Sequence, residues 1–117
     1  MSMVRGTKLY FEDILSSIKK IERYIKNVSL LTFQKDEKTI DAVVRNLEII
    51  GEAANNIPEK VKAESKDIPW QQIIGMRNKV IHEYFGVDID MLWQTLIADI
   101  PQLLKQIKAL KKNKLSY

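Results

Sequence analysis

The chain of 117 residues has no cysteine, a single histidine, three prolines and four glycines. Without a thiol there is no disulfide, no iron–sulfur cluster and no cysteine nucleophile. With one imidazole and no carboxylates clustered at ligand spacing, a zinc site is excluded as well. No metal and no cofactor is therefore expected. No apolar run approaches the ~18 residues of a membrane span, and Met1 to Leu9 carries Arg5 and Lys8 without a signal-like apolar core. The expectation is a soluble cytoplasmic protein with no membrane partner. Hairpin turns of the Asn-Gly type, alternating strand patterns and internal repeats are missing too, which argues against a β-sheet.

Apolar residues recurring at steps of three and four are abundant. One stripe runs Phe11, Ile14, Ile18, Ile21, Ile25, Val28; a second runs Ile40, Val43, Leu47, Ile50, Ala54, Ile57; a third runs Trp93, Leu96, Ile100, Leu103, Ile107, Leu110. Each is one face of a helix that needs a partner to cover it. Pro58 and Pro69 suit helix starts, Gly86 suits a left-handed stop, and Asp88 suits the cap of the last helix. Pro101 falls inside the third stripe without breaking its phase, so a kinked helix is predicted there. The fold class is all-α. Residues 1–117 are expected to form one domain, an antiparallel bundle of four to five helices with short connections. Gly51, Ala53 and Ala54 leave room for close helix approach.

Lysine and arginine number 19 against 15 aspartates and glutamates, a net charge of +4. The excess gathers in Lys105, Lys108, Lys111, Lys112 and Lys114. It suits an anionic partner such as nucleic acid, and it equally suits a solvated helix end.

The segment best equipped for chemistry reads Met76-Arg77-Asn78-Lys79-Val80-Ile81-His82-Glu83-Tyr84-Phe85. Arginine keeps its charge and grips phosphate oxygens in pairs, while imidazole exchanges a proton near neutral pH. If the segment is helical at about 100° per residue, Asn78 and His82 stack four apart and Ile81 and Phe85 form an apolar floor. Arg77 and Tyr84 then share a neighbouring face, about 20° apart around the axis. A single helix does not aim Arg77 and His82 at one atom without a kink near Gly75 or the reach of the arginine. Two copies across a twofold axis would bring two histidines and two arginines into one cleft, an acid and a base together. The same residues also admit structural roles: His82 in a hydrogen bond, Arg77 in a surface ion pair, Tyr84 packing beside Phe85. Arg45, Glu48, Glu52 and Asn55 form another polar stripe, either a surface ladder with Arg45 paired to Glu48 or support for the His82 cleft.

The pattern Arg77-x4-His82-x-Tyr84, set within Ile68-Pro69-Trp70, Gly75-Met76-Arg77-Asn78 and His82-Glu83-Tyr84-Phe85-Gly86-Val87-Asp88, resembles the HepT toxins of the HEPN superfamily. The stretch from Asp41 to Ala54 is similar to the second helix of that family. The resemblance implies a helical homodimer whose paired motifs form a metal-independent endoribonuclease cleft. The side chains themselves suit Arg77 and His82 to the catalytic pair, Asn78 to orienting the scissile phosphate or holding the imidazole tautomer, and Tyr84 to a contact with substrate. The resemblance also implies a toxin whose cognate nucleotidyltransferase antitoxin silences it by attaching AMP to Tyr84. The alternative is a subunit that does no chemistry and presents a nucleotide or substrate to a minimal nucleotidyltransferase. A short basic groove without an aromatic platform gives no expectation about which base is read.

Overall fold

A computed structural model describes residues 5–76 and 88–114 of the chain, and among these there is helix and no strand. Helix α1, Arg5–Ile25, buries Phe11, Ile14, Ile18 and Ile21 along one face. It ends where Asn27 takes a left-handed conformation with φ of 59° and the Val28 N–H turns back 3.0 Å to the Ile25 carbonyl. Asparagine tolerates that region better than most residues with a Cβ.

A short helix α2, Leu30–Lys35, follows, capped by Ser29, whose Oγ accepts the Thr32 N–H at 3.2 Å. Its one fully buried side chain is Phe33. Helix α3, Glu37–Asn56, begins with no loop between. Asp36 closes α2 by donating its N–H to the Phe33 carbonyl and opens α3 by accepting the Thr39 N–H at 3.1 Å and the Thr39 hydroxyl at 2.6 Å. These bonds to Thr39, with Lys38 adding attraction, hold the Asp36 carboxyl below its ordinary pKa.

The most extensive helix–helix interface among the described elements joins α1 to α3. From α3 it receives Val43, Leu47, Ile50 and Ala54, all fully covered, with Gly51 and Ala53 buried beside them. The small residues Gly51, Ala53 and Ala54 are all buried. Asn46 is the polar exception on the buried side of α3: its Nδ2 donates 2.9 Å to the Ala42 carbonyl, and among the described residues its Oδ1 has no hydrogen-bond partner.

Pro58 precedes helix α4, Glu59–Ala63, and residues 70–76 form the described part of helix α5. Trp70 fixes the start of α5. Its Nε1 donates 3.1 Å to Ser65 Oγ, which itself donates 2.6 Å to the Val61 carbonyl, and its ring meets Phe11 edge-on at 6.1 Å between centroids. A buried indole with its N–H satisfied is a strong anchor.

The last helix starts at α6, Ile89–Gln94, capped by Asp88 Oδ1 accepting the Met91 N–H at 3.0 Å, as the sequence predicts. It passes through a π-helical turn, Thr95–Asp99, into α7, Ile100–Lys114. Pro101 does not end the helix; the disturbance lies just before it. Proline cannot donate to the carbonyl four residues back. The wider turn, in which the Ile100 N–H reaches the Thr95 carbonyl, shifts the bonding register ahead of that gap. Leu96, Ile100, Leu103, Ile107 and Leu110 face the core. Helix α6 meets α2 through Trp93 and Phe33, ring centroids 5.0 Å apart, and through Gln34 Nε2 donating 2.9 Å to Asp90 Oδ1.

Candidate functional site

Arg77, Asn78, His82 and Tyr84 lie outside the described residues, as does the expected left-handed stop at Gly86. The frame on either side of them is described. On the entering side, α5 runs as helix to Met76, one peptide bond from Arg77. It is held there by the Trp70 anchor and by Ile73, which is buried in the core. Gly75 lies within this helix and has open space where a Cβ would stand. On the leaving side, Asp88 opens α6, and the Trp93–Phe33 and Asp90–Gln34 contacts tie α6 to α2. Both edges of the motif are thus referenced to the body formed by α1, α2 and α3.

Between α5 and the last helix is a cleft of about 750 Å³, within the range of small-ligand sites. Its described floor includes Ile73, Met76, Ile100 and Leu103, and its described walls carry Gln72, Thr95, Asp99, Gln102 and Gln106. One wall is braced by Gln106, whose Nε2 donates to the Asp67 carbonyl. Thr95 donates its hydroxyl 3.2 Å to the Met91 carbonyl, which leaves the oxygen's lone pairs free to accept. No lysine or arginine appears among the described lining residues. The cleft groups were missed in the sequence, where Thr95, Asp99, Gln102 and Gln106 look like the solvent face of a helix. Their spacing of four, three and four residues beside the apolar stripe is the signal that places them on one wall.

Of the second polar stripe, Arg45, Glu52 and Asn55 are exposed and Glu48 is half-buried. Among the described residues no ion pair joins Arg45 to Glu48. A shallow groove on the outside of α1 carries Lys19, Lys20 and Arg23, a small basic surface. Among the described residues no group of three or more histidine, aspartate or glutamate side chains is placed to hold a metal ion. No described helix is long and apolar enough to cross a membrane.

Comparison with known proteins adds to this geometry. Residues 14–110 match the protein family described as "Ribonuclease HepT-like". The chain is 46% identical over 110 residues to "Probable ribonuclease HepT" of Thermococcus cleftensis, covering 94% of this chain and 100% of that protein. It is 43% identical over 99 residues to "Putative RNase TTE0752" of Caldanaerobacter subterraneus subsp. tengcongensis, covering 85% of this chain and 88% of that one. It is also 40% identical over 116 residues to "Gamma-glutamylcyclotransferase and putative RNase MJ0434" of Methanocaldococcus jannaschii, where the match covers 96% of this chain and 52% of the relative. No solved structure matches.

Proposed function

The chain belongs to the HepT-like ribonuclease family, and we propose that it is a metal-independent endoribonuclease whose cutting groups are Arg77 and His82. The observation that carries this reading is the family match over residues 14–110, which spans the whole Arg77-x4-His82-x-Tyr84 motif. The chemistry follows from the side chains. Neutral His82 takes the proton of a ribose 2′-hydroxyl, and the 2′-oxygen attacks the adjacent phosphorus. The bond from phosphorus to the 5′-oxygen breaks, and a protonated His82 of a second copy, or water, supplies the proton to that leaving oxygen. Arg77 grips the nonbridging oxygens as charge builds on them. The products are a 2′,3′-cyclic phosphate and a free 5′-hydroxyl, and DNA is not cut because it lacks the nucleophile.

Asn78 orients the phosphate or holds the imidazole tautomer. Two copies complete one cleft, so the working form is a homodimer. Tyr84, two residues from His82, is the control point. AMP attached there by a cognate nucleotidyltransferase antitoxin places a bulky anion where RNA must enter. In this reading the protein is the toxin of such a pair and works in the cytoplasm.

The test is cleavage of RNA by purified protein in the presence of a metal chelator, with His82→Ala alongside. Wild type cuts and leaves cyclic phosphate ends; the variant loses about 10²- to 10⁴-fold in rate, the usual contribution of a positioned acid or base, with its helical content unchanged. RNA that stays intact with protein free of any added AMP overturns the reading. The protein would then be the non-catalytic partner of a nucleotidyltransferase. Intact mass of protein made with and without the adjacent nucleotidyltransferase checks the control point, through gains in AMP steps mapped to Tyr84.

A further inference from the structure

The described lining of the cleft between α5 and the last helix is unlike a phosphate site. Its described walls offer amides from Gln72 and Gln102 and a carboxylate from Asp99, over an apolar floor that includes the Met76 thioether. Gln72, Asp99 and Gln102 are exposed and make no hydrogen bond or ion pair among the described residues, so their polar groups are available to a ligand. Carboxylates repel phosphate. They accept hydrogen bonds from the N–H groups on the edge of a base, while glutamine amides offer both a donor and an acceptor.

Unpaired bases are commonly stacked on aromatic or guanidinium faces and read along their edges by hydrogen bonds. This cleft has no such platform among its described residues, and a ring in it would lie against the half-buried Met76, whose polarizable sulfur favours aromatic rings, with amide and carboxylate groups at its edge. Guanine presents adjacent N1–H and N2–H₂ donors to a carboxylate and an O6 acceptor to an amide. Uracil presents one N–H between two carbonyls and leaves a carboxylate poorly matched. The described lining includes Met76, one peptide bond before Arg77, so the cleft adjoins the motif along the chain.

We infer that this cleft is a nucleobase subsite, taking the base of a nucleotide next to the cut phosphodiester and preferring guanine to uracil. The inference rests on the ribonuclease reading for its RNA, and its test separates the two. Short single-stranded oligonucleotides carrying 2′-O-methyl groups have no 2′-proton to lose and are not cut. A set identical except for guanine, adenine, cytosine or uracil at the central position is titrated against the full chain and binding followed by fluorescence anisotropy. Wild type binds the guanine strand about tenfold more tightly than the uracil strand, the low end of what one two-point contact to a base supplies. Asp99→Asn and Gln102→Ala each bring that ratio close to one, chiefly by weakening the guanine strand. Both positions are exposed, so thermal melting is unaltered. Equal binding of all four strands by wild type overturns the subsite, as does a base preference that both variants retain. Base-dependent binding by protein that cuts no unmodified RNA upholds the subsite and removes the nuclease reading; cleavage with no base-dependent binding does the reverse.

Discussion

Along α3, every buried position from Ile40 to Ala54 except Asn46 is apolar or glycine, and α1 covers much of that side. Along the last helix the apolar stripe from Leu96 to Leu110 runs beside Thr95, Asp99, Gln102 and Gln106, which open onto a cleft. The first region is helix against helix with regular caps and regular bonds. The second contains a proline, a π-helical turn and unpartnered polar groups. In the proposed reading the two regions carry different loads: the α1–α3 contact is burial alone, while the last helix both contributes Leu96, Ile100, Leu103, Ile107 and Leu110 to the core and presents the polar wall of a cleft.

The contrast can be broken most forcefully at Leu47, which is fully buried on α3. Leu47→Ala should lower unfolding free energy by about 2–5 kcal/mol in urea titrations, while the surviving folded fraction binds RNA as wild type does. A change in base preference as large as the loss of stability would show that the two regions are not separate. Pro101 probes the other side. Pro101→Ala returns an N–H to the ladder, and an uninterrupted α-helix becomes available where the π-helical turn now stands. A gain of about 1 kcal/mol in thermal or urea unfolding is expected, a fraction of the cost of proline inside a regular helix. The guanine preference should weaken, because the cleft wall is re-aimed.

The smallest effect is expected at Asp36. Its folded pKa is depressed below the ordinary 3.8, so its contribution is fully present above that value and disappears as pH falls through the lower, folded value. Asp36→Asn keeps an acceptor for the Thr39 N–H but does not titrate. Melting temperature measured from about pH 5 to about pH 2 should fall less steeply in the variant than in wild type. Parallel curves would remove Asp36 from the acid response.

Much of the helical body was legible in the sequence, because the stripes of α1, α3 and α7 repeat over many turns. Pro58, Pro69 and Asp88 marked helix starts for the same reason that they make them: a missing N–H or an available carboxylate. Helix α2 escaped notice because six residues with one buried side chain, Phe33, make no periodic pattern. The π-helical turn escaped because its extra width is a matter of bonding register, and the apolar phase around Pro101 runs on regardless. The motif from Arg77 to Tyr84 was legible through its resemblance to a family, to which the chain does belong. The cleft between α5 and the last helix was not, since glutamines at helical spacing acquire meaning only once α5 is known to face them.

The corner at Asp36 has a dimensional consequence. Helices in bundles are commonly joined by about two to eight residues, and such a joint has slack. Here the final bond of α2 and the opening bonds of α3 meet on one residue. The bearing of α2 is therefore set by the first turn of α3, as a mitred joint fixes one rail by its neighbour. Through Phe33 against Trp93 that bearing passes to α6, which begins directly after the motif. The first described residues after the motif thus take their position from a corner some fifty residues earlier in the chain.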